Sequence, residues 1–336
     1  AAITTTIRVY PVTVFIPKTA LDGKTSVTVN ATAVTSVIGT GAQVAAVVSA
    51  DVTMKADYLA ELTGTSSASD INTVAGDTAG IVTATATGTA SALNTALNDA
   101  SLTGNDALTL TVTGATAAAT DLNSLDDKTS VDVIVDATAI TGDFADLNEL
   151  YVTNSANFTN LETKNVSISD NVSTTNADII ADATSGIVTA TITTDTASAL
   201  NTALVDSGSQ VNEYNLTVSA GDVNASDLIQ LTGKTTETIN INALTTTHTI
   251  SGDVSQLKDI YVTNSAKYSS LGDEKITITN AGATNIVATD LSSIGSSTTS
   301  TVTVTNAINI TGTAAQATAA LVTLASKVVA ANATVE

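Results

Sequence analysis

Carboxylates are the most abundant reactive groups in this 336-residue sequence: 32 Asp and Glu stand against 11 Lys and Arg. Two carboxyl groups facing each other can hydrolyse a glycosidic bond, one as acid and the other as base or nucleophile. Asp126–Asp127 and Asp273–Glu274 come nearest to such pairs, and both fall in apparent chain corners. Sugar-cleaving sites also favour aromatic platforms or basic residues beside the acids. Aromatics here are 3% of the chain, Trp is absent and Arg8 is the only arginine. The sequence therefore nominates no catalytic residue, and no enzyme is expected. His248, the only histidine, sits in LTTTHTISGD with no Cys or second His to join it, and reads as a loop residue.

Calcium takes carboxylate and carbonyl oxygens, which corners supply. The chain has neither an Asp-x-Asp-x-Asp-Gly loop nor a Gly-Gly-x-Gly-x-Asp array. No cofactor is expected; calcium is the one ion left open, with no metal-ligating residue nominated. Asn-x-Ser/Thr sequons at Asn157, Asn165, Asn171 and Asn215 are what a Ser/Thr-rich chain gives by chance. Threonines alternate along Thr83–Thr85–Thr87, Thr277–Thr279 and Thr301–Thr303–Thr305, the pattern of an ice-binding face. Ordinary β-propensity with a solvated face explains them as well.

The formal net charge of −21 removes further classes. Nucleic-acid backbones need clustered Lys and Arg, and anionic membrane surfaces repel such a chain. No apolar run reaches the ~18 residues of a membrane-spanning helix. Absence of Cys excludes disulfides, thiolate zinc sites and cysteine nucleophiles.

What the sequence does contain is repetition. LNELYVTNSANF (147–158) returns as LKDIYVTNSAKY (257–268), and GIVTATATGTASALNTALNDAS (80–101) returns as GIVTATITTDTASALNTALVDS (186–207). ATDLNSLDDKTSVDV (119–133) returns as ASDLIQLTGKTTETI (225–239), and LDGKTSVTVNATAVT (21–35) is a fainter relative of LDDKTSVDVIVDATAIT (125–141). A super-repeat of roughly 105 residues thus occurs about three times, over about 21–124, 125–230 and 231–336.

Within each copy, short β-branched runs alternate with period two: VTVNA, IVTATAT, LTLTVTG, VDVIVDA, LYVTN, VSISD, IVTATIT, NLTVSA, ININA, IYVTN, ITITN and TVTVTN. These predict strands. Between them, TDLNSL, ADLNEL, SDLIQL and TDLSSI predict short helical turns capped by Ser, Thr or Asp, and TASALNTAL predicts a longer one. Asn or Gly closes many strands, suiting a sharp corner. Strand, corner and short helix in constant order predict a repeat solenoid of parallel β-strands, α/β or β-solenoid in class, because one rung cannot bury its own apolar face. At about 4.8 Å between neighbouring strands, roughly thirteen or fourteen rungs would make a rod roughly 60–65 Å long. In YVTNSA this reading turns Leu150, Ile260, Val152 and Val262 inward and makes Asn154 and Asn264 turn formers.

Residues 1–20 stand apart from the solenoid of 21–336. ITTTIRVYPVTVFIPK holds both prolines, Pro11 and Pro17. Its Ile7, Arg8, Val9, Tyr10, Val12, Val14, Phe15 and Ile16 read as a strand, either a cap on the first rung or an assembly strand that docks on a neighbouring subunit or on the next part of a longer protein. Proline suits a sheet edge.

The phrases ATDLNSLDDKTSVDVIVDATAITG and SALNTAL resemble the threonine-rich repeats of giant marine cyanobacterial cell-surface proteins and of cyanophage appendage proteins. The resemblance spans Leu21 to the end. It implies an extracellular, non-enzymatic, structural or adhesive role at a cell surface or virion, and supplies no catalytic residues. The expected function is a rod-like segment of an appendage, filament, surface layer or virion fibre, partnered by itself or other appendage subunits. The alternative is an adhesin for cell-surface glycans, with Tyr151 and Tyr261, and Phe158 and Tyr268, as surface contacts unless they pack in the core or corners.

Overall fold

The computed structural model describes residues 28–205 and 211–336. The chain is α/β, with short helices and several sheets of parallel strands, and no closed barrel among the described residues. It divides into two compact units between Asn165 and Val166.

In the first unit a six-stranded sheet keeps chain order: Ser36–Thr40, Leu59–Thr65, Val82–Gly88, Ala107–Val112, Val133–Val135 and Phe158–Thr159. Val37 lies beside Ala60, Ala60 beside Val82, Ala84 beside Leu108, Thr111 beside Ile134, and Val133 beside Phe158. Each pairing is parallel and each step advances about 22–25 residues, room for one strand, one short helix and two corners. In the second unit a five-stranded sheet pairs Val223 with Ile250, Ile250 with Ile276, Ile276 with Val302 and Val302 with Val328, steps of 26 or 27 residues.

Period-two alternation sets the burial. Val82, Ala84 and Ala86 are buried beside Leu108, Leu110 and Val112, while Thr83 and Thr87 face solvent. Small Ala against large Leu keeps the layer thin and filled, which a chain poor in aromatics requires. The helices cover the open side. Ala90–Ala96 and Ala197–Ala203, duplicates in sequence, are duplicates in structure. Thr89 and Thr196 cap them by accepting from the amides of Ala92 and Ala199, and Leu93 and Leu200 are buried.

Three of the four Asp-Leu turns lack the expected cap. Their helices begin earlier, at Ala119, Ala225 and Ala288, directly off short strands, and Ala118, Asn224 and Val287 make no side-chain cap bond. Asp121, Asp227 and Asp290 fall in the first turn instead, where the helix dipole favours a negative charge. Only Phe144–Asn148 carries a side-chain cap, from Asp143.

YVTNSA is not a strand. Phe144–Asn148 is α-helix, Glu149–Thr153 a π turn, and Ser155–Asn157 a 3-10 turn; Val254–Lys258, Asp259–Thr263 and Ser265–Lys267 repeat this. The Asn154 and Asn264 amides reach back to the carbonyls of Glu149 and Asp259, both at 2.8 Å. Leu147, Leu150 and Tyr151 are buried at positions i, i+3 and i+4 of a helical stripe. Val152 and Val262, expected inward, are 51% and 44% exposed. The left-handed corner residues are Asn160 and Ser270, at φ 66° and 62°, whereas Asn154 and Asn264 join two helical turns.

Candidate functional site

The most repeated polar arrangement is a corner that joins one step of the sheet to the next. Thr78, Thr129, Thr184, Thr235 and Thr298 are all buried, each four residues before the first core residue of a strand: Val82, Val133, Val188, Ile239 and Val302. The hydroxyls of Thr78, Thr129, Thr235 and Thr298 donate to the carbonyls of Tyr58, Leu108, Tyr214 and Glu274 at 2.6–2.9 Å. All five accept the amide two residues on, that of Gly80, Val131, Gly186, Glu237 or Ser300, at 3.0–3.1 Å. A hydroxyl can donate once and accept twice, so one small side chain closes its own turn and clasps the chain 20–24 residues earlier.

Between these corners, a buried acceptor does similar work. The two carboxylate oxygens of Asp106 accept from the Val82 amide at 2.8 Å and the Thr103 amide at 3.0 Å. Asn212 holds the matching place in the next super-repeat, accepting from the Val188 amide at 2.8 Å. Asp and Asn share only the acceptor oxygen, so the corner needs an acceptor, and a charge is dispensable. Glu274 is fully buried. It accepts from the Tyr261 hydroxyl and from the amides of Gly272 and Asp273 at 3.1 and 3.2 Å. Burial raises the Tyr261 phenol well above its usual range, and the neighbouring Glu274 charge adds to this.

The carboxylates nominated from sequence do not converge on a reactive centre. Asp126 accepts from Asn157 at 3.0 Å. Partial burial, with the charges of Asp127 and Asp132 nearby, raises its pKa against that hydrogen bond. Of the pair Asp273–Glu274, Glu274 is held by the donors just named. His248 closes its own loop, its Nδ1 accepting from the Thr245 amide at 3.1 Å. Among the described residues no group of three or more His, Asp or Glu is placed to hold a metal ion, and no helix is long and apolar enough to cross a membrane.

A cleft of about 480 Å³ is lined by Gly76–Ile81, Ser101, Thr103, Asn105 and Asp106. Asp106 is already engaged through both oxygens, and Asp77 accepts from the Tyr58 hydroxyl at 3.0 Å. The Thr78 hydroxyl in the same lining is the corner hydroxyl that donates to the Tyr58 carbonyl.

Tyr151 and Tyr261, nominated as surface contacts, are buried at 4% exposure each. The helical stripe at 147, 150 and 151 turns them inward. The strand nominated for assembly, Ile7, Arg8, Val9, Tyr10, Val12, Val14, Phe15 and Ile16, lies outside the described residues. The outward threonines do align between strands, Thr85 with Thr109 and Thr87 with Thr111. Glu61 beside Thr83 and Ile134 beside Thr111 break the array. The corner threonines were missed, although Thr-x-x-x-Val/Ile recurs visibly in the sequence. In a Thr-rich chain nothing distinguishes a buried threonine from its exposed neighbours until strand boundaries are known.

No protein-family description, curated protein or solved structure matches this chain.

Proposed function

We propose that the chain is a non-enzymatic structural repeat segment of an extracellular appendage, with the rungs of each unit stacked as a solenoid. The observation that carries this reading is the corner threonine. Four of the five copies donate their hydroxyls to the carbonyl of an earlier strand or its edge, all five accept the amide two residues on, and their intervals track the internal repeat. Selection acting on stacking geometry leaves such a trace; selection acting on one reactive centre would leave one copy unlike the rest. The resemblance to threonine-rich surface and appendage repeats agrees with this, as does a strongly acidic chain that keeps itself soluble. Partners are other copies or other appendage subunits. Calcium and glycans have no nominated ligands.

The glycan-adhesin alternative loses its aromatic contacts, Tyr151, Tyr261, Phe158 and Tyr268, to the core. Gold-labelled antibody against the chain, imaged on its source cells or particles by electron microscopy, tests the proposal. Label along filaments, a surface layer or virion fibres is expected. Label confined to the cell interior, or selective capture of one glycan by a dispersed monomer, would overturn it.

A further inference from the structure

The two copies of YVTNSA expose the same residues as well as burying the same ones. Val152, Thr153, Ser155 and Ala156 face solvent in the first copy, and Val262, Thr263, Ser265 and Ala266 do so in the second. Each set sits on a π turn that runs into a 3-10 turn, closed by the matching amides of Asn154 and Asn264. We propose that these two knuckles are the two sides of one contact between copies of the chain: the 149–157 knuckle of one copy docks on the 259–267 knuckle of another. The inference rests on the structural-repeat reading above and names the surfaces through which copies join.

Both knuckles offer a small apolar centre without charge. Val152 is 51% exposed and Val262 is 44% exposed. Thr, Ser and Ala surround each valine. An aliphatic centre depleted of charge, inside a polar rim, is the composition of an interface core. The π turn is what displays it. The helical stripe spends Leu150 and Tyr151, or Ile260 and Tyr261, on the core and leaves the next residue outside. Such π turns are rare and gather at functional sites.

Charge tells the two knuckles apart. From Asp143 to Asn157 there are three acids, Asp143, Asp146 and Glu149, and no base. The matching stretch from Asp253 to Lys267 has two acids, Asp253 and Asp259, and two bases, Lys258 and Lys267. The three charge changes, Asp146 to Gln256, Asn148 to Lys258 and Asn157 to Lys267, all run in the same direction. The corner beside the first knuckle adds Asp126 and Asp127, and Asp126 accepts from the Asn157 side chain at 3.0 Å. The matching corner has Thr232 and Gly233 there, and the lysine that follows, Lys128 or Lys234, is common to both. Lys258 is paired with Asp290 at 2.6 Å, so the cation turned to solvent is Lys267.

These charges select the pairing. In a chain of net charge −21, two first knuckles repel each other, and two second knuckles bring lysine against lysine. First against second sets Lys267 among Asp126, Asp127 and Glu149 while valine meets valine. The two sides of that contact are different surfaces, so each added copy keeps one knuckle free. Association then continues past the dimer until a ring closes or a filament forms.

The absence of Cys makes the pairing directly testable. Full chains carrying Thr153→Cys or Thr263→Cys are oxidised separately and as a mixture, and the linked peptides are counted by mass spectrometry. The mixture is expected to link 153 to 263 well ahead of the self-links in either variant. Sedimentation velocity of the unmodified chain is expected to show species beyond the dimer that grow with concentration and shrink as salt rises from about 0.05 to 0.5 M. Lys267→Glu should weaken association at least ~5-fold, and Asp127→Lys added to the same chain should restore it. A chain monomeric at every concentration, links of 153 to 153 as fast as 153 to 263, or association indifferent to Lys267→Glu overturns the contact. Each of these results leaves the structural-repeat reading standing, because that reading falls with the antibody localisation above.

Discussion

Thr129 and Leu108 hold each other at both ends of one residue. The Thr129 hydroxyl donates to the Leu108 carbonyl at 2.8 Å and accepts from the Leu108 amide at 3.0 Å. It also accepts from the Val131 amide at 3.1 Å. Val has nearly the shape of Thr and none of its hydrogen bonds. Thr129→Val therefore strands buried backbone groups, each costing about 1–3 kcal/mol. Urea unfolding is expected to show a clear fall in midpoint for Thr129→Val and little change for Thr129→Ser, which keeps the hydroxyl. Equal losses in the two variants would mean that the methyl packing, and not the clasp, matters there.

A second column is built from missing atoms. A Cβ added to Gly252 would lie 2.6 Å from the Cβ of Ala225, and one added to Gly142 would lie 2.9 Å from that of Ala119. The helix starts at Ala119 and Ala225 thus approach the end of the next strand too closely for any side chain. Gly252→Ala is expected to destabilise by about 1–3 kcal/mol through overpacking. Gly104→Ala, where the nearest atom would be 3.6 Å away, is the neutral control. Adding Ala225→Gly should recover part of the loss, and a strictly additive double mutant would show that the two residues do not meet.

These two columns also explain how far the sequence could be read. Long alternating runs such as IVTATAT and LTLTVTG announce themselves, because three successive inward positions fix the period. Thr116–Ala118, Ala139–Gly142 and Asn285–Val287 were not legible. Each buries a single apolar residue, Ala117, Ile140 or Ile286, and one position has no period. YVTNSA misled for a different reason. Its β-branched residues suit a strand, but Leu147, Leu150 and Tyr151 also fit a helical stripe, and packing favoured the stripe. At the corners, Thr78 or Thr235 differs from dozens of other threonines only in being buried. Chemistry was easier to exclude than corners were to find, since composition alone removes aromatic platforms, thiols and basic clusters.

Alkaline pH should weaken the fold. Burial is the leading reason that Tyr58, Tyr151, Tyr261 and Tyr268 hold their phenolic protons well above the ordinary value of 10.0. Their acidic neighbours Asp77, Glu274 and Asp259 add to this at Tyr58, Tyr261 and Tyr268 respectively. The unfolded chain releases these protons near pH 10 while the folded chain keeps them. Their contribution is thus complete below pH 10 and is lost progressively as pH rises beyond it. Urea midpoints from pH 8 to 11 are expected to fall in the upper part of that range. Tyr151→Phe should flatten the fall at small cost at pH 8, because its hydroxyl makes only a 3.4 Å contact with the Leu161 carbonyl. A midpoint independent of pH would show that the phenols are reachable by water.

The π turn gives the sharpest local test, because strand and helical readings of the same residues disagree about one side chain. A strand through Leu150–Asn154 buries Leu150 and Val152 together and turns Tyr151 away. The observed turn buries Leu150 and Tyr151 and leaves Val152 half exposed. Leu150→Ala should then cost about 2–5 kcal/mol, as a cavity in a filled layer does. Val152→Ala should stay within about 0.5 kcal/mol, as an exposed substitution does. Ile260→Ala and Val262→Ala should repeat the contrast in the second copy, where Ile260 is fully buried and Val262 is 44% exposed. Comparable losses at Leu150 and Val152 would restore the strand. A contrast in one copy only would show that identical text at 151–156 and 261–266 folds two ways, and that the duplication does not fix its own geometry.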